Sequence, residues 1–454
     1  MVLASLTSDS QETISDVFKK IQQNKHGCIF VTDSNNKVIG VATDGDIRRY
    51  LIENDNLKSP IKECMNASFV WASQDATREY ILKLLDHRVS IIPILDQEGI
   101  LIDFVSRKQF PIEKQANVTV RSRSPVRISF GGGGTDLTHY FVNNDKGAVL
   151  NSTVKIYTHC SMKKTNRSFS TIDSIDLGEK IEFESIDSLS KNSKFSLIAS
   201  LLELINPNYS FDLTIRSDFP VGSGLGGSAV VLSAIIGCFN QFREDPWDRH
   251  EIAELAFQAE RIFLNMAGGW QDQYATVFGG FNFMEFQEKE NIIHPLKINK
   301  KTMLELEESL LLCNTNLGHI SGAIHEKQRS TFNQNKDVQA LVHENRELTY
   351  NMKSLLLRGS LKEFGKTLDK AWKLKRQFSE GITSSELDKI YDRAIESGAD
   401  GGKLLGAGGG GYFIFYVDPE LRNKVESSLI DMGLKPQPVY FDGDGLQTWK
   451  IRQN

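Results

Sequence analysis

The first 110 residues carry one pattern of apolar and polar positions twice. A shift of 63 positions, from residue 26 to residue 89, aligns HGCIFVTDSNNKVIGVATDGDI (26–47) with VSIIPILDQEGILIDFVSRKQF (89–110). A segment with helical spacing precedes each of them at the same offset. Each repeat therefore predicts a helix, a strand, an aspartate-containing turn, a second strand and a short helix. The two repeats are expected to bury their apolar strands against each other.

After a linker at residues 111–120, the pattern changes to strands and helices punctuated by three glycine-rich clusters. The first, SPVRISFGGGGTDL (124–137), contains an alternating strand. The second, PVGSGLGGSA (220–229), runs directly into a segment with helical spacing of apolar residues at positions 230, 231, 234, 235, 238 and 239. The third, GGKLLGAGGGGYFIFY (401–416), lies between an amphipathic helix and an apolar strand.

Composition narrows the class of protein. A chain of 454 residues exceeds one ordinary hydrophobic core, so two or three domains are expected. The net charge of −5 disfavours nucleic acid as the main partner, because phosphate contacts need a basic surface. No apolar run approaches the roughly 20 residues of a membrane span, and the first residues do not resemble a signal peptide. We therefore expect a cytoplasmic protein without a membrane partner.

The cysteines fit the same compartment. They are widely spaced and contain no C-x-x-C pair, so the sequence predicts neither a disulfide framework nor a zinc site. The five are Cys28, Cys64, Cys160, Cys238 and Cys313.

The second glycine cluster predicts an anion site. A glycine loop that opens into a helix presents free N–H groups and the positive end of the helix dipole. Gly222, Gly224 and Gly227 also satisfy the dinucleotide pattern G-x-G-x-x-G, but the preceding segment 212–220 is polar and ends in proline, unlike a central parallel strand. A Walker A loop is excluded, because no Gly-Lys-Ser/Thr follows. A kinase-type phosphate loop is the favoured alternative.

Three carboxylates each have more than one interpretation from the residues alone. Asp136 follows four glycines and either accepts sugar hydroxyl groups or is a solvated turn residue. Glu260 lies at the edge of an apolar helical stripe, where it is paired, directed to water or bound to a cation. Asp272 is predicted on a turn before the strand FNFMEF, where it binds its own backbone or serves in a site. The stripe comprises Ile252, Leu255, Ala256, Ala259, Ile262, Phe263 and Met266.

The repeated region resembles a CBS pair, chiefly through GVATDGDIRR (40–49). The resemblance implies an adenosyl nucleotide held by Thr43 and Asp46, since a carboxylate accepts ribose hydroxyls. Ser106 and Gln109 stand at the matching positions of the second repeat, so one intact site at most is expected. The alternative is a purely structural module, or one through which the chain forms a homodimer.

The three glycine clusters, in their order, resemble the GHMP kinase superfamily over residues 120–454. Its members carry a Pro-x-Arg strand, a Pro-x-Gly-x-Gly-Leu-Gly-Ser-Ser-Ala loop over the ATP phosphates and a C-terminal Gly-x-Gly-Gly-Gly loop. Gly227 replaces the first serine of the pair and leaves Ser228. The resemblance implies an α+β, two-lobed kinase with a mixed-sheet N-lobe and a ferredoxin-like C-lobe after the CBS tandem-repeat domain. The expected boundaries are residues 1–112, 118–310 and 311–454.

The resemblance also implies roles for single residues. Asp272 is expected to orient the attacking hydroxyl, with Arg127 as its partner, and Ser228 and Glu260 are expected to hold Mg²⁺. The implied ATP-binding residues are Pro220, Gly222, Ser223, Gly224, Leu225, Gly226, Gly227 and Ser228. The implied substrate-binding residues are Gly133, Gly134, Thr135, Asp136, Lys403, Gly408, Gly409 and Gly410. Two further basic candidates for a sugar phosphate are Lys373 and Arg376.

Within the superfamily, four segments look most similar to D-glycero-D-manno-heptose 7-phosphate kinases and their sugar-1-kinase relatives. They are RISFGGGGTDL, GWQDQYATVFGGFNFMEF, AWKLKRQFS and GGKLLGAGGGGYFIFY. The implied reaction is ATP-dependent phosphorylation of the anomeric C1 hydroxyl to the 1,7-bisphosphate, a step towards nucleotide-activated heptoses. Three alternatives remain from the sequence. They are a kinase for fucose, mannose or an N-acetylhexosamine, an inactive nucleotide-sensing regulator with a kinase fold, and an oxidoreductase.

Overall fold

A computed structural model describes residues 3–86, 89–106, 117–142, 146–220, 222–318 and 321–453. The chain divides into two compact units, unit 1 (Met1–Ala116) and unit 2 (Asn117–Asn454). A strand already begins at Asn117, so the last residues of the expected linker belong to unit 2. The remainder of that linker, with Gln109 and the short helix expected after the second repeat, lies outside the described residues.

Unit 1 confirms the tandem repeat. Its described residues form two three-stranded sheets, with the strand orders β1-β2-β3 and β4-β5-β6. β5 and β6 begin 63 positions after β2 and β3, which is the offset found in the sequence. The elements are β1 (Thr7–Asp9), α1 (Ile14–Asn24), β2 (Cys28–Thr32), β3 (Val38–Thr43), α2 (Asp44–Asn54), β4 (Ala72–Ser73), α3 (Arg78–Asp86), β5 (Ile91–Leu95) and β6 (Leu101–Ser106).

The two repeats share part of their core. Cys28, Phe30 and Val38 from the first repeat pack with Ile91 and Phe104 from the second. The strands β1 and β4 pair in parallel with β2 and β5 and were not predicted. They have three and two residues, which is too short to show an alternating pattern.

Unit 2 contains the remaining elements, with a π-helical turn at Gln258–Phe263 directly after α8. They are β7 (Asn117–Gly131), α4 (Thr138–Phe141), β8 (Gly147–Thr165), β9 (Ser170–Ser174), β10 (Glu179–Phe183), α5 (Ile186–Ser190), α6 (Ser196–Ile205), β11 (Ser210–Ser217), α7 (Gly227–Asn240), α8 (Arg249–Phe257), α9 (Gln271–Phe278), β12 (Phe281–Phe286), β13 (Asn291–Pro295), α10 (Lys300–Ser309), β14 (Leu310–Asn314), α11 (Ser321–Gln334), α12 (Lys336–Arg358), α13 (Leu361–Lys375), α14 (Ser385–Ser397), β15 (Ala399–Leu404), β16 (Tyr412–Val417), α15 (Arg422–Ile430), β17 (Lys435–Pro438) and β18 (Gln447–Gln453).

Two sheets organise unit 2. Eight strands form a mixed sheet in the order β10-β9-β11-β8-β12-β13, with β7 paired to both β8 and β18. The β9–β11 pair is parallel and the other pairs described in this sheet are antiparallel. A second, antiparallel sheet has the order β15-β16-β14-β17. In the β16–α15–β17 unit, one strand pairs with each edge of β14, so that β16 and β17 flank it. This arrangement confirms the ferredoxin-like C-lobe.

The last strand departs from the expected division at residue 311. β18 pairs with β7 along Asn117–Arg123, so the C-terminal segment returns to the first sheet. β18 alternates polar residues with the apolar Trp449 and Ile451, and such a pattern does not reveal which sheet a strand joins. Among the described residues, no helix combines the length and apolar character that a membrane crossing requires.

The helix after the second glycine cluster is buried more completely than its predicted single face. Almost every residue at positions 229–239 of α7 is buried, and the half-buried Val231 is the exception. α7 packs against β7 and β8 on one side and against α8 and α9 on the other. This central packing fixes the direction in which the N-terminus of α7 points.

Candidate active site

The second glycine cluster forms the loop before α7. Its glycines at 222, 224 and 226 have φ values of +76°, +72° and +80°, a region that strains any residue with a Cβ atom. Gly226 is the residue before the first turn of α7, which begins at Gly227. The first N–H groups of α7 have no acceptor within the helix, so the loop end is suited to an anion.

Arg127 and Asp272 form a two-point ion pair beside this loop. Arg127 Nε donates to Asp272 Oδ1 at 2.7 Å and Nη2 donates to Oδ2 at 2.9 Å. Arg127 Nη1 also donates to the carbonyl of Gly224 at 2.8 Å. Asp272 lies in the first turn of α9, not on the turn expected before β12. The glycines around it suggested a turn, but the helix begins at once after them.

Ser228 and Glu260 meet on the other side of the loop. The Ser228 hydroxyl donates to Glu260 Oε1, and Gln273 Nε2 donates to Oε2 at 2.7 Å. Arg261 Nη1 lies 3.5 Å from Oε1. Glu260 is 1% exposed, and burial raises the pKa of its carboxyl group despite the opposing charge of Arg261.

The position of Glu260 corrects the predicted apolar stripe. The stripe ends at Ala259, because the chain then enters the π-helical turn, in which Leu264 N–H donates to the Ala259 carbonyl. The extra residue in the turn rotates the following side chains away from the core. Three expected stripe residues are consequently exposed: Ile262, Phe263 and Met266. π-Helical turns are frequently found at functional sites.

The Ser228–Glu260 pair fits a magnesium site. Both side chains offer hard oxygen atoms and both line the same cavity. The described residues contain no group of three or more His, Cys, Asp or Glu side chains that could enclose a metal ion. A site with two protein oxygens suits Mg²⁺, which keeps water and takes phosphate oxygens as further ligands.

Asp136 joins the first glycine cluster to the start of α9. Its Oδ1 accepts from Gly134 N–H at 3.1 Å and its Oδ2 accepts from Gln271 N–H at 3.3 Å. A Cβ atom on Gly269 would lie 1.9 Å from Oδ2, so this contact requires glycine. Burial, and then the charge of Asp272, raise the pKa of Asp136.

These groups line one cavity of about 590 Å³ within unit 2. One end contains the apolar side chains Leu197, Ile198, Ile215 and Phe219, and its lining also includes Ser174, Asp176, Lys194 and Ser217. The glycine loop lies along the middle. The other end is polar and is lined by Arg127, Asp136, Gln271, Asp272, His325 and Lys375. The volume suits a nucleotide together with a small second substrate.

Three residues of the polar end were not predicted: Gln271, His325 and Lys375. Lys375 is 5% exposed and donates to the Gly406 carbonyl, and burial lowers its pKa to about 8. Burial also lowers the pKa of His325 to about 4, and its Nδ1 has no hydrogen-bond partner among the described residues. The sequence does carry a signal for Lys375, because it continues the buried face of α13. The other members of that face are Leu361, Phe364, Leu368, Ala371 and Trp372.

Several predicted substrate residues lie elsewhere. Lys403 does not line the cavity, because its buried ammonium group donates to the Ser129 carbonyl at 2.9 Å. Lys373 and Arg376 pair instead with the carboxylates of Asp369 and Asp388. The following candidates also fall outside the described cavity lining: Thr135, Gly408, Gly409, Gly410, Pro220 and Leu225.

The reasons differ among these residues. Thr135 is fully buried, and its hydroxyl donates to the carbonyls of the first glycine cluster and β8. A Cβ atom on Gly408 would meet Ile382, and one on Gly410 would meet Leu317. The third glycine cluster therefore packs against neighbouring backbone, and its cavity contacts come from Gly406 and Ala407 instead.

In unit 1, Thr43 and Asp46 lie together at the start of α2. Asp46 N–H donates to the Thr43 hydroxyl oxygen at 3.2 Å, and the Asp46 carboxylate accepts from Thr43 N–H at 3.0 Å. This reciprocal arrangement is a capping box. Asp46 also pairs with Arg49, one turn further along α2.

Known proteins define the class to which this fold and site belong. Family models match for GHMP kinases N terminal domain at residues 195–280, GHMP kinases C terminal at 352–433 and the CBS domain at 5–53 and 61–110. D-glycero-alpha-D-manno-heptose 7-phosphate kinase from Campylobacter jejuni is 35% identical over 339 residues, which cover 73% of this chain and 99% of the relative. The chain belongs to the GHMP kinase family and is an ATP-dependent carbohydrate kinase.

Two further matches carry the names of sugar kinases. The crystal structure of a D-glycero-D-manno-heptose 1-phosphate kinase from Bacteroides thetaiotaomicron has a TM-score of 0.63 and 30% identity, covering 74% of this chain and all of that one. L-fucokinase/L-fucose-1-P guanylyltransferase from Bacteroides fragilis is 27% identical over 76% of this chain and 40% of its own length. The protein is a carbohydrate kinase with CBS domains at its N-terminus. The dinucleotide interpretation of the second glycine cluster is thereby wrong.

Proposed function

We propose that this kinase transfers the γ-phosphoryl group of ATP to the anomeric C1 hydroxyl of D-glycero-D-manno-heptose 7-phosphate. The product is the 1,7-bisphosphate, a step towards nucleotide-activated heptoses. The observation that carries the proposal is the Arg127–Asp272 pair at the point where the glycine loop meets the polar end of the cavity. The identity with a heptose 7-phosphate kinase along its whole length supports the choice of sugar.

In this proposal Asp272 is the general base. Its carboxylate, held by Arg127, would orient the C1 hydroxyl and accept its proton while the hydroxyl oxygen attacks phosphorus. The bond between the γ-phosphorus and the ADP oxygen breaks as the new bond forms. The loop glycines and the N-terminus of α7 would hold the phosphates and stabilise the developing charge.

Ser228 and Glu260 would hold Mg²⁺ together with phosphate oxygens. When bound there, Mg²⁺ supplies neutralisation of the phosphate charge and orientation of the phosphate chain. Gly222, Ser223, Gly224, Gly226 and Gly227 would form the ATP-binding loop. The end of the cavity that contains the apolar side chains is the place proposed for the adenine ring.

The polar end would bind the acceptor sugar. Asp136 and the backbone of Gly133 and Gly134 offer one acceptor surface for hydroxyl groups. The buried Nδ1 of His325 and Oε1 of Gln271 lack hydrogen-bond partners among the described residues. Sugar hydroxyls would supply these missing partners, since a buried polar atom without one is costly.

ADP release with Mg-ATP and a panel of sugars tests the proposal. The panel contains D-glycero-D-manno-heptose 7-phosphate, mannose, fucose and N-acetylhexosamines, and ³¹P NMR of the product identifies the phosphorylated hydroxyl. We expect turnover of the heptose phosphate and a new anomeric phosphate signal. Preference for fucose, to which the Bacteroides fragilis relative points, would keep the mechanism and overturn the substrate. Binding of ATP without turnover of any sugar would favour the regulator.

For unit 1 we propose a regulatory role. Thr43 and Asp46 would hold the ribose side of an adenosyl nucleotide, which requires the ligand to take over hydrogen bonds of the capping box. The CBS match at residues 5–53 and 61–110 supports this assignment. A homodimer formed through the same module is a second part of the proposal.

A further inference from the structure

The guanidinium group of Arg127 is already ion-paired and hydrogen-bonded within the protein. Two of its nitrogen atoms donate to the Asp272 carboxylate and the third donates to the Gly224 carbonyl. The pair is neutral as a whole, and only 5% of the Arg127 side chain is exposed. Because Arg127 fixes Asp272, its charge is not available to a phosphoryl group in transfer, and a second cation beside the proposed Mg²⁺ would offset the charge that Mg²⁺ leaves.

Lys375 is placed to supply that charge. Its ammonium group donates to the Gly406 carbonyl, which is its one hydrogen bond among the residues described, and an ammonium group has three donors. A Cβ atom on Gly133, in the proposed acceptor loop, would lie 3.9 Å from Lys375 Nζ. A Cβ atom on Gly406 would lie 2.6 Å from the Gly224 carbonyl oxygen, in the phosphate loop. Lys375 therefore lies where the phosphate loop and the acceptor loop meet.

The other titratable and charged groups around Lys375 do not compete for this role. β7 contributes Arg127, the following loop Asp136, and α9 Asp272. β15 contributes Lys403. Burial, and then the charge of Lys375, hold the pKa of Lys403 well below its usual value. α11 contributes His325, which its lowered pKa keeps neutral near pH 7.

We propose that Lys375 is a catalytic residue whose ammonium group contacts the transferring phosphoryl group and offsets the charge on its oxygens. It acts while the bond from the acceptor oxygen to phosphorus forms, the bond to ADP breaks and the hydroxyl proton passes to Asp272. The inference rests on the proposed kinase reaction but not on the identity of the sugar. The competing role for Lys375 is to bind the phosphate that the sugar already carries.

The variant Lys375→Met separates these roles, and Lys370→Met, an exposed lysine of the same helix, is its matched control. ADP release is measured with sugar and without it, since slow transfer to water depends on the phosphoryl site alone. We expect Lys375→Met to lower both rates about 100-fold, with KM for ATP and sugar within about threefold of wild type. Lys375→Arg is expected to recover part of the loss. A KM increase for the sugar phosphate, with an unchanged rate of transfer to water, would overturn the proposal.

One further readout, the binding of a transition-state analogue, remains informative if the heptose phosphate is not the substrate. ADP with aluminium fluoride mimics the transferring group, and wild type is expected to bind it about tenfold more tightly than ADP alone. Lys375→Met should lose this increment, and its retention would contradict the proposal. Failure of the proposed function itself would show separately, as absence of sugar-dependent ADP release in wild type.

The pH profile distinguishes a charge from a structural role. Because burial and the neighbouring Arg127 lower the pKa of Lys375 to about 8, kcat/KM of wild type should decline above about pH 8. Arginine stays charged in this range, so Lys375→Arg should lack that decline. A variant that declines in parallel with wild type would exclude Lys375 as its source.

Discussion

Two aspartates in the first turn of a helix illustrate how differently a carboxylate can be used in one chain. Asp46 at the start of α2 and Asp272 at the start of α9 both have side chains that are 18% exposed, and both pair with an arginine. Asp46 pairs with Arg49, three residues away and 77% exposed, and closes the cap of its own helix. Asp272 pairs with Arg127, which is 145 residues distant and 5% exposed.

The difference lies in how much of each arrangement local structure explains. The capping box accounts for the contacts of Asp46 without a ligand. No capping contact involves the Asp272 side chain in the described part of unit 2, and it faces a cavity that also contains unpaired polar atoms. Exposure and an arginine partner therefore do not identify a catalytic aspartate. The span of the pair and the surroundings of the carboxylate are the informative features.

The largest effect is expected from Asp272→Asn. The amide keeps the size of the side chain but cannot accept the hydroxyl proton, so kcat should fall about 1,000-fold. The loss of the buried ion pair should also lower the free energy of unfolding, by up to about 3 kcal/mol. Steady-state kinetics and urea unfolding measure the two effects. Asp431→Asn, at an exposed position of unit 2, is the control, and a loss of less than tenfold in kcat would contradict a catalytic role.

Much of this arrangement could be predicted from the sequence. The repeat offset fixed the positions of β2, β3, β5 and β6, and the glycine loop indicated the start of α7. The Arg127–Asp272 contact followed from family resemblance, because no periodicity relates residues 145 positions apart. The repeat and the glycine loop reflect the local conformation of the backbone. Such motifs predict a site well where local conformation determines it.

The rest depended on tertiary structure. The regular helical spacing of apolar residues did not predict the π-helical turn, in which Glu260 is buried and Ile262 is exposed. Lys375, unlike Lys373, continues the helical spacing of the buried face of α13, but only tertiary packing shows that this face borders the cavity at Lys375. Similarly, the strand pattern of β18 does not state that it returns to the first sheet.

A smaller and pH-dependent effect is expected on stability from Lys375→Met. The pKa of Lys375 is about 8 in the folded chain and 10.5 for an ordinary lysine, so the buried charge costs about 3 kcal/mol below pH 8. Between about pH 8 and 10.5 the unfolded chain binds more protons, and the free energy of unfolding of wild type should rise with pH. The variant should therefore be more stable at pH 7 and lose this advantage towards pH 10.

Urea midpoints at several pH values measure this difference, followed by tryptophan emission, to which unit 2 contributes four of the five tryptophans. Lys370→Met, whose side chain is exposed, should show no such pH-dependent gap. A Lys375→Met variant that is less stable than wild type at pH 7 would mean that Lys375 supports the fold. Lys375 would then resemble Asp46, whose contacts serve local stability, and not Asp272.

The smallest effect is expected from Thr43→Ala at the other aspartate. Loss of the N-cap hydroxyl should reduce the stability of the β3–α2 segment by about 1 kcal/mol. Hydrogen exchange of peptides from unit 1 would show this as exchange about fivefold faster than in wild type, with α9 unchanged. Ser68→Ala, an exposed serine of the same unit, is the control.

Hydrogen exchange of the same peptides tests whether a bound nucleotide replaces the hydrogen bonds that Asp46 makes within its own helix cap. If AMP replaces hydrogen bonds of the capping box, it should slow exchange in β3–α2 of wild type, and the Thr43→Ala variant should lose this protection. Slowed exchange that persists in the variant would place the nucleotide elsewhere. Faster exchange of α9 in Thr43→Ala would be the more damaging result, since it would show that the capping box influences Asp272. The distinction between a locally explained carboxylate and one held by distant contacts would then fail.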